Sequence, residues 1–452
     1  MVIAAPTFET LTSQFTGELI VPADEAYESA RSVWNGNIDR HPAIVARCQS
    51  VADIQAAVRY ARENGLLVAV RGGAHNAAGH GTCDGGIVID TSPMKAISVD
   101  PDRRVARCEP GLTWGEFDAA TLKHGLATTG GTVSNTGIAG LTLGGGLGWM
   151  MSKHGLTIDN LLAVELVTAT GDLVRADSST NQELFWALRG GGGNFGIVTA
   201  FEYRLHPVEP EVLGGMAVYT LDRAPDVLRF YRDFAPTLPD DAELAAALLT
   251  APGGPPVVAL VAAYNGPVAD GQALFSAIKS LGEPIQNIIG PMPYAVRQTL
   301  LDEPNAIHGL QRYWKSGFTS AISDELIEAA VKAASTFTSP LSAMLFFYLH
   351  GAITRVPADA TAFGLRNAQW DVNVIGQWAD AAESPSHIAW AKSSWADFEP
   401  LISSAAYINH ISADDSVEKV RASYGPHLDR LTAVKRKYDP ANLFRLNANI
   451  VP

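Results

Sequence analysis

Residues 71–86 read Arg71-Gly72-Gly73-Ala74-His75-Asn76-Ala77-Ala78-Gly79-His80-Gly81-Thr82-Cys83-Asp84-Gly85-Gly86. Paired glycines let a backbone take positive φ and let a ligand come close to the main chain. Successive exposed N–H groups in such a turn form a nest for an anion. A histidine inside that nest is held against whatever carries the anion. A diphosphate cofactor with a reactive ring fits, which makes His75 an attachment or catalytic residue. His75, His80 and Cys83 also stand at H-x4-H-x2-C spacing. No second ligand cluster and no H-E-x-x-H completes a metal site, so no metal is expected.

Two further glycine clusters follow. Gly130 to Trp149 is too long for a single turn and is studded with Val133, Ile138, Leu141, Leu143 and Leu147, which belong near a core. A buried glycine-rich segment is better explained by backbone touching a ligand than by a flexible surface loop. The third cluster contains a literal G-x-G-x-x-G at Gly191, Gly193 and Gly196. The dinucleotide fingerprint needs a strand before it and a helix after it. Here a helix-like stretch, residues 182–189, comes first and a β-like run follows, so a Rossmann site is rejected. No Walker A sequence and no G-x-S-x-G elbow is present. Near the C-terminus, Tyr407-Ile408-Asn409 lies on a β-like run, and a tyrosine can serve as general base if its proton is relayed or its pKa lowered. Spacing alone favours a half-buried strand aromatic there. Asn447 and Asn449 would share one face of a last strand, where they could meet a ring carbonyl or amide or simply cap the strand.

These residues need a scaffold. With 452 residues the chain makes about two domains, since one core rarely grows past roughly 250–300 residues. Ser50 caps a helix running to Asn64 and stopped by Gly65, and Leu66 to Val70 is an apolar strand. Strands are expected at 87–90, 96–99, 105–109, 160–168 and 196–205, with a helix at 113–124 closed by Gly125. The composition shifts near His206-Pro207-Val208-Glu209-Pro210. Beyond it come strand-like runs at 256–264 and 341–352, a helix at 325–335, and a helical pattern from Asp414 to Lys437. A net charge of −14 argues against nucleic acid as a partner. No apolar run is long enough for a bilayer, and Met1 to Glu9 lacks the basic start and apolar core of a secretory signal. The three cysteines, Cys48, Cys83 and Cys108, suggest no disulfide framework. A soluble cytoplasmic protein without membrane contact is expected, its oligomeric state unreadable.

Taken in order, Trp34-Asn35-Gly36, Arg71 to His75, Thr136 to Trp149, His154 to Asn160, Leu188 to Thr199, Tyr407-Ile408-Asn409 and Tyr438 to Asn447 resemble FAD-linked oxidases of the vanillyl-alcohol-oxidase superfamily, within its berberine-bridge-enzyme-like bacterial members. The resemblance covers essentially the whole chain. It implies an α+β fold with a two-part FAD-binding domain, residues 1–210 plus 406–452, and an inserted substrate domain, residues 211–405, built on an antiparallel sheet covered by helices.

By the same resemblance, Arg71, Gly72, Gly73, Ala74 and Asn76 would hold the FAD pyrophosphate, and His75 would bond covalently to the flavin C8 methyl carbon. Ser134, Gly137, Gly140, Gly145, Gly146 and Gly148 would run along the ribityl chain and isoalloxazine, with Ile197 and Val198 near the adenine and Asn447 at the flavin. Many plant members add a second link through a cysteine before the second glycine cluster. The matching stretch here, Thr128 to Val133, has none, which implies a single link. The activity implied is an oxidase: hydride passes from a small organic substrate to FAD, Tyr407 takes the proton with a second polar residue (Tyr348 or His350), and O2 is reduced to hydrogen peroxide. The alternative is an oxygenase or cyclase working through an oxygenated flavin N5 adduct, with Thr136 orienting oxygen. A non-catalytic FAD-binding protein is a third reading.

Overall fold

The computed structural model describes residues 8–452. The reading of Met1 to Thr7 therefore lies outside the described residues. In the N-terminal half, the Ser50 side chain accepts the Asp53 N–H and starts the helix Val51–Glu63, whose apolar face is buried. Gly65, at φ 62°, ends it. The chain then enters the strand Val68–Arg71, one edge of a four-stranded sheet ordered Glu18–Ile20, Ile44–Arg47, Ile87–Asp90, Val68–Arg71. The last three strands run parallel. Residues 72–86 thus leave the carboxyl end of a parallel strand, where open α/β sheets place their ligands.

A second, five-stranded antiparallel sheet contains Ile97–Asp100, Val105–Cys108, Ile197–Arg204, Leu161–Val167 and Leu173–Asp177. The helix Trp114–Thr121 has a capping box between Thr113 and Glu116, tightens at Leu122–His124, and stops at Gly125 with φ 65°. The helix Gln182–Leu188 precedes the 190–196 glycines and a strand follows them. That order bears out the rejection of a Rossmann turn.

Residues 211–378 form an eight-stranded sheet whose strand pairs are all antiparallel. Side chains alternate across it. Leu244, Ala246 and Leu248 of the strand Ala242–Thr250 pack under the helices Ala224–Phe234, Asp324–Ser335 and Ser384–Phe398. Glu243 and Ala245 of the same strand face the opposite way.

The C-terminal stretch departs from expectation in two places. Tyr407 is not on a strand: it caps a 3-10 turn, Ile408–His410, held by packing against the glycine segment. Asn447 and Asn449 are not on a strand either, because residues 439–452 run as irregular chain after the helix Leu428–Tyr438. That chain is pinned by side chains instead. The buried Lys435 ammonium binds Asp439 and the Asn194 and Phe444 carbonyls, and Ile450 donates its N–H to Asn194 Oδ1.

Candidate active site

The strand exit at Arg71 is shaped by its own side chain. The buried guanidinium donates to the carbonyls of Gly81, Ala30 and Arg31, so its charge holds the loop closed and leaves anion contact to the backbone. Ala74 stands at φ 56°, a left-handed conformation that is rare for a residue with a side chain. Gly73 crosses Gly137 so closely that a Cβ on Gly73 would lie 2.4 Å from the Gly137 nitrogen, and the reverse approach is equally short. These two glycine segments are therefore locked face to face by the absence of side chains.

His75 is fixed from two sides. Its ring stacks on Trp34 at 4.1 Å, and the Arg312 guanidinium lies 3.6 Å over that indole. Its Nε2 lies 2.9 Å from Asn135 Oδ1, while Asn135 Nδ2 donates to the Ala306 carbonyl at 2.6 Å. Because that amide nitrogen is committed, the oxygen must accept, which puts the proton on Nε2 and a lone pair on Nδ1. Burial pushes the His75 imidazole down to about 3, so the ring is neutral and nucleophilic.

One cavity of about 330 Å³ joins this loop to the sheet of the second half. Arg71, Gly72, Gly73, Ala74, His75, Asn76, Thr136, Gly137, Gly140, Gly148, Ile197, Val198, Tyr407 and Asn447 line it. Ser134, Gly145 and Gly146 stand behind the wall. Ser134 gives both its N–H and its hydroxyl to Asp302. Gly145 and Gly146 are glycines because of φ values of 135° and 88°. A Cβ on Gly146 would also strike the Thr157 hydroxyl at 2.0 Å. The residues fit a flavin dinucleotide on two grounds: the side-chain-free crossing of Gly73 and Gly137, and a buried Asn447 Oδ1 at the cavity wall without a hydrogen-bond partner among the described residues.

Tyr407 is 2% exposed, and its hydroxyl accepts the Gly146 N–H at 2.8 Å and the Asn409 side-chain N–H at 2.7 Å. Burial pushes its phenol above the ordinary range despite these donors. A standing phenolate is therefore disfavoured. Sequence reasoning missed the group beside it. The His410 ring meets the Tyr407 ring edge-on at 4.8 Å and stacks on Trp314. His410 Nδ1 lies 3.2 Å from Asp371 Oδ2, close enough for an ion pair though not aligned as a hydrogen bond. Asp371 is fully buried, and its Oδ1 has no hydrogen-bond partner among the described residues. His410 follows Tyr407 by three residues and could have been noticed; Asp371 lies on the strand Gln369–Trp378 and could not.

Of the two polar residues expected to assist Tyr407, Tyr348 reaches the cavity while its ring packs on His350 and Trp370. His350 does not reach it: its Nε2 meets the Ala242 carbonyl, because a glycine turn at φ 64° follows it and directs the chain away. None of the three buried cysteines lines the cavity.

An FAD binding domain family matches residues 42–177, and the berberine and berberine-like family matches residues 406–451. An FAD-linked oxidoreductase of Dictyostelium discoideum is 32% identical over 432 residues, 95% of this chain and 93% of that one. The crystal structure of 6-hydroxy-D-nicotine oxidase from Arthrobacter nicotinovorans superposes with a TM-score of 0.89 at 29% identity, covering 100% of both chains. Berberine-bridge-enzyme-like 1 of Physcomitrella patens superposes with a TM-score of 0.89 at 25% identity, covering 99% of both.

Proposed function

The chain belongs to the berberine-bridge-enzyme-like family of FAD-linked oxidoreductases of the vanillyl-alcohol-oxidase superfamily, and from that premise we propose that it is an oxidase of a small organic substrate carrying FAD on His75. The division into 1–210 and 406–452 around FAD and 211–405 around substrate belongs to the same reading. The observation that carries it is the single cavity running from the 71–76 loop to the sheet face where Tyr407 and His410 stand. FAD bound there supplies a two-electron acceptor that takes hydride from a substrate carbon and returns both electrons to O2 as hydrogen peroxide.

The chain's own residues do the rest. The backbone around Gly72 and Gly73 would cradle the pyrophosphate, and His75 would be the attachment residue, with its Nδ1 lone pair free and Asn135 holding the other nitrogen. The stretch Thr128 to Val133, which resembles the one where doubly linked relatives carry a cysteine, holds none, so the link is single. Tyr407 orients the substrate hydroxyl or amine, and His410, edge-on to the Tyr407 ring with Asp371 beside its Nδ1, stands next to it to take up the proton. The apolar walls exclude water. Thr136, on the cavity wall, orients oxygen.

The test is direct. Denatured protein stays yellow, and a flavin-bearing peptide contains His75, joined through Nδ1, and no cysteine. Alcohols, sugars, phenols and amines are then screened for peroxide release, with isotopic O2 to follow the oxygen. Recovery of free FAD alone removes the covalent link, and label appearing in product in place of peroxide replaces the oxidase with an oxygenase.

A further inference from the structure

Arg312 is a cation buried without an anion. It lies near the start of the edge strand Gln311–Thr319 and is 1% exposed. Its guanidinium bonds only to neutral acceptors: Nε to Gln377 Oε1 at 2.6 Å, and the terminal nitrogens to the Trp34, Leu310 and Ile307 carbonyls. Burial, with no carboxylate among the described residues to oppose it, draws the group down to about 9, so it is still a cation at neutral pH. Backbone fixes it in place. Asn35 Oδ1 accepts the Arg312 N–H, and Asn35 Nδ2 donates to the Arg312 carbonyl. The Gly36 N–H meets the Leu310 carbonyl, and the Gly309 N–H meets the Trp34 carbonyl. Residues 34–36 are thus zipped to 309–312, which sets the guanidinium 3.6 Å over the Trp34 ring. Trp34 stacks on His75 at 4.1 Å, and both line the cavity, while Arg312 does not. After burial, the Arg312 charge is among the influences that keep the His75 ring neutral.

Leaving a buried charge unpaired is expensive. The residue directly across the ladder, Gln377, is an amide where a carboxylate would have completed an ion pair. An anion that arrives with the cofactor accounts for the omission. Hydride delivered to a flavin ring adds one negative charge there, while the substrate proton leaves on the Tyr407 side. A fixed cation near that ring favours the charged form, because attraction between charges is strong where water is excluded. We propose that Arg312 is a positioning residue that acts through Trp34 and His75, its unpaired charge raising the readiness of the flavin to accept hydride. The guanidinium and the indole hold the His75 ring, and the charge shifts the potential of the flavin ring that lies against it.

This role rests on the proposed reading that the flavin ring lies against His75. Wild type, Q377E, R312Q and R312K, matched for flavin content, are each reduced anaerobically beside a dye of known potential. Q377E keeps the shape of the side chain and turns the Arg312 contact into an ion pair. In Q377E and R312Q the equilibrium constant for flavin reduction falls tenfold or more, about 30 mV for a two-electron couple. In R312K, which keeps the charge and loses most of the hydrogen bonds, the fall is clearly smaller. A purely structural clamp gives the reverse order, with both Arg312 variants disturbed alike and Q377E unchanged. That order overturns the inference, as does any smaller fall in Q377E or an equal fall in R312K. If Q377E takes up no flavin, R312Q against R312K decides. Flavin loss from both neutralised proteins also overturns it, since the charge then serves binding and not the potential. The covalent reading fails separately: free FAD recovered from wild type on acid precipitation removes the His75 link, and the potentials are still compared on the bound flavin.

Discussion

Tyr407 accepts two hydrogen bonds on its phenol oxygen and lies 2% exposed, so removing the hydroxyl has two effects at once. Tyr407→Phe strands the buried Gly146 N–H, at a stability cost of roughly 1–3 kcal/mol. It also slows anaerobic flavin reduction by about tenfold or more, the low side of what general-base help contributes. Asp371→Asn slows the same step by a similar factor, because His410 loses the charge that balances its proton. If the residues form one relay, the double variant is no slower than the worse single, since groups acting as a unit are not additive. Stopped-flow reduction with a good substrate reads all three rates. A wild-type rate in either single variant removes that residue from the relay. His75→Ala releases its flavin on acid precipitation, while Asn135→Leu, which frees the Nε2 side of the ring, lowers the fraction of covalently bound flavin.

At the level of elements, the two glycines after Arg71 are unequal. A Cβ on Gly73 would sit 2.4 Å from the Gly137 nitrogen, backbone that cannot move without opening the glycine segment. On Gly72 it would meet the Pro110 oxygen at 3.3 Å and the Ala139 methyl at 3.6 Å, contacts a small shift relieves. Gly73→Val therefore abolishes flavin loading, and Gly72→Ala retains most of it, with far-ultraviolet circular dichroism unchanged in both. The ratio of flavin to protein absorbance after purification decides, and equal loading would mean that the crossing does not shape the cofactor site. From sequence the two positions look alike. Their difference is set by Gly137, 64 residues further along the chain.

Across the molecule, buried titrating groups pull the pH dependence of stability in opposite directions. His154 and His206 stack face to face at 3.7 Å, and burial, then neighbouring positive charge, holds them down to about 3 and about 4. The unfolded chain takes up their protons near pH 6.5, so stability present at neutral pH is lost as pH falls from there toward those values. Glu243, held up to about 8 by burial, has the opposite sign: the unfolded acid ionises first, and stability declines as pH rises from about 4.3 toward 8. His154→Phe is accordingly more stable relative to wild type at pH 5 than at pH 7. Glu243→Gln is more stable relative to wild type at pH 8 than at pH 5. Melting temperatures of the three proteins at pH 5, 7 and 8 give both differences, and parallel curves would contradict the assignment.

Local pattern carried a large part of this chain. The helix after Ser50, the strand Pro256–Tyr264, the reversed order around the 190–196 glycines and the glycine loop with its histidine could all be read in order, because caps, apolar periodicity and positive-φ turns act over a few residues. The C-terminal runs at Tyr407 and Asn447 misled that reading, since β-like composition there serves tertiary packing and side-chain anchors in place of a ladder. Only the folded chain brings Asp371 to His410 across 39 residues, Asn135 to His75 across 60, and Glu243 into the wall of the same cavity. Each of these is a single polar side chain on an otherwise ordinary strand or loop. Its chemistry comes from desolvation and from partners distant in sequence, and neither leaves a local pattern.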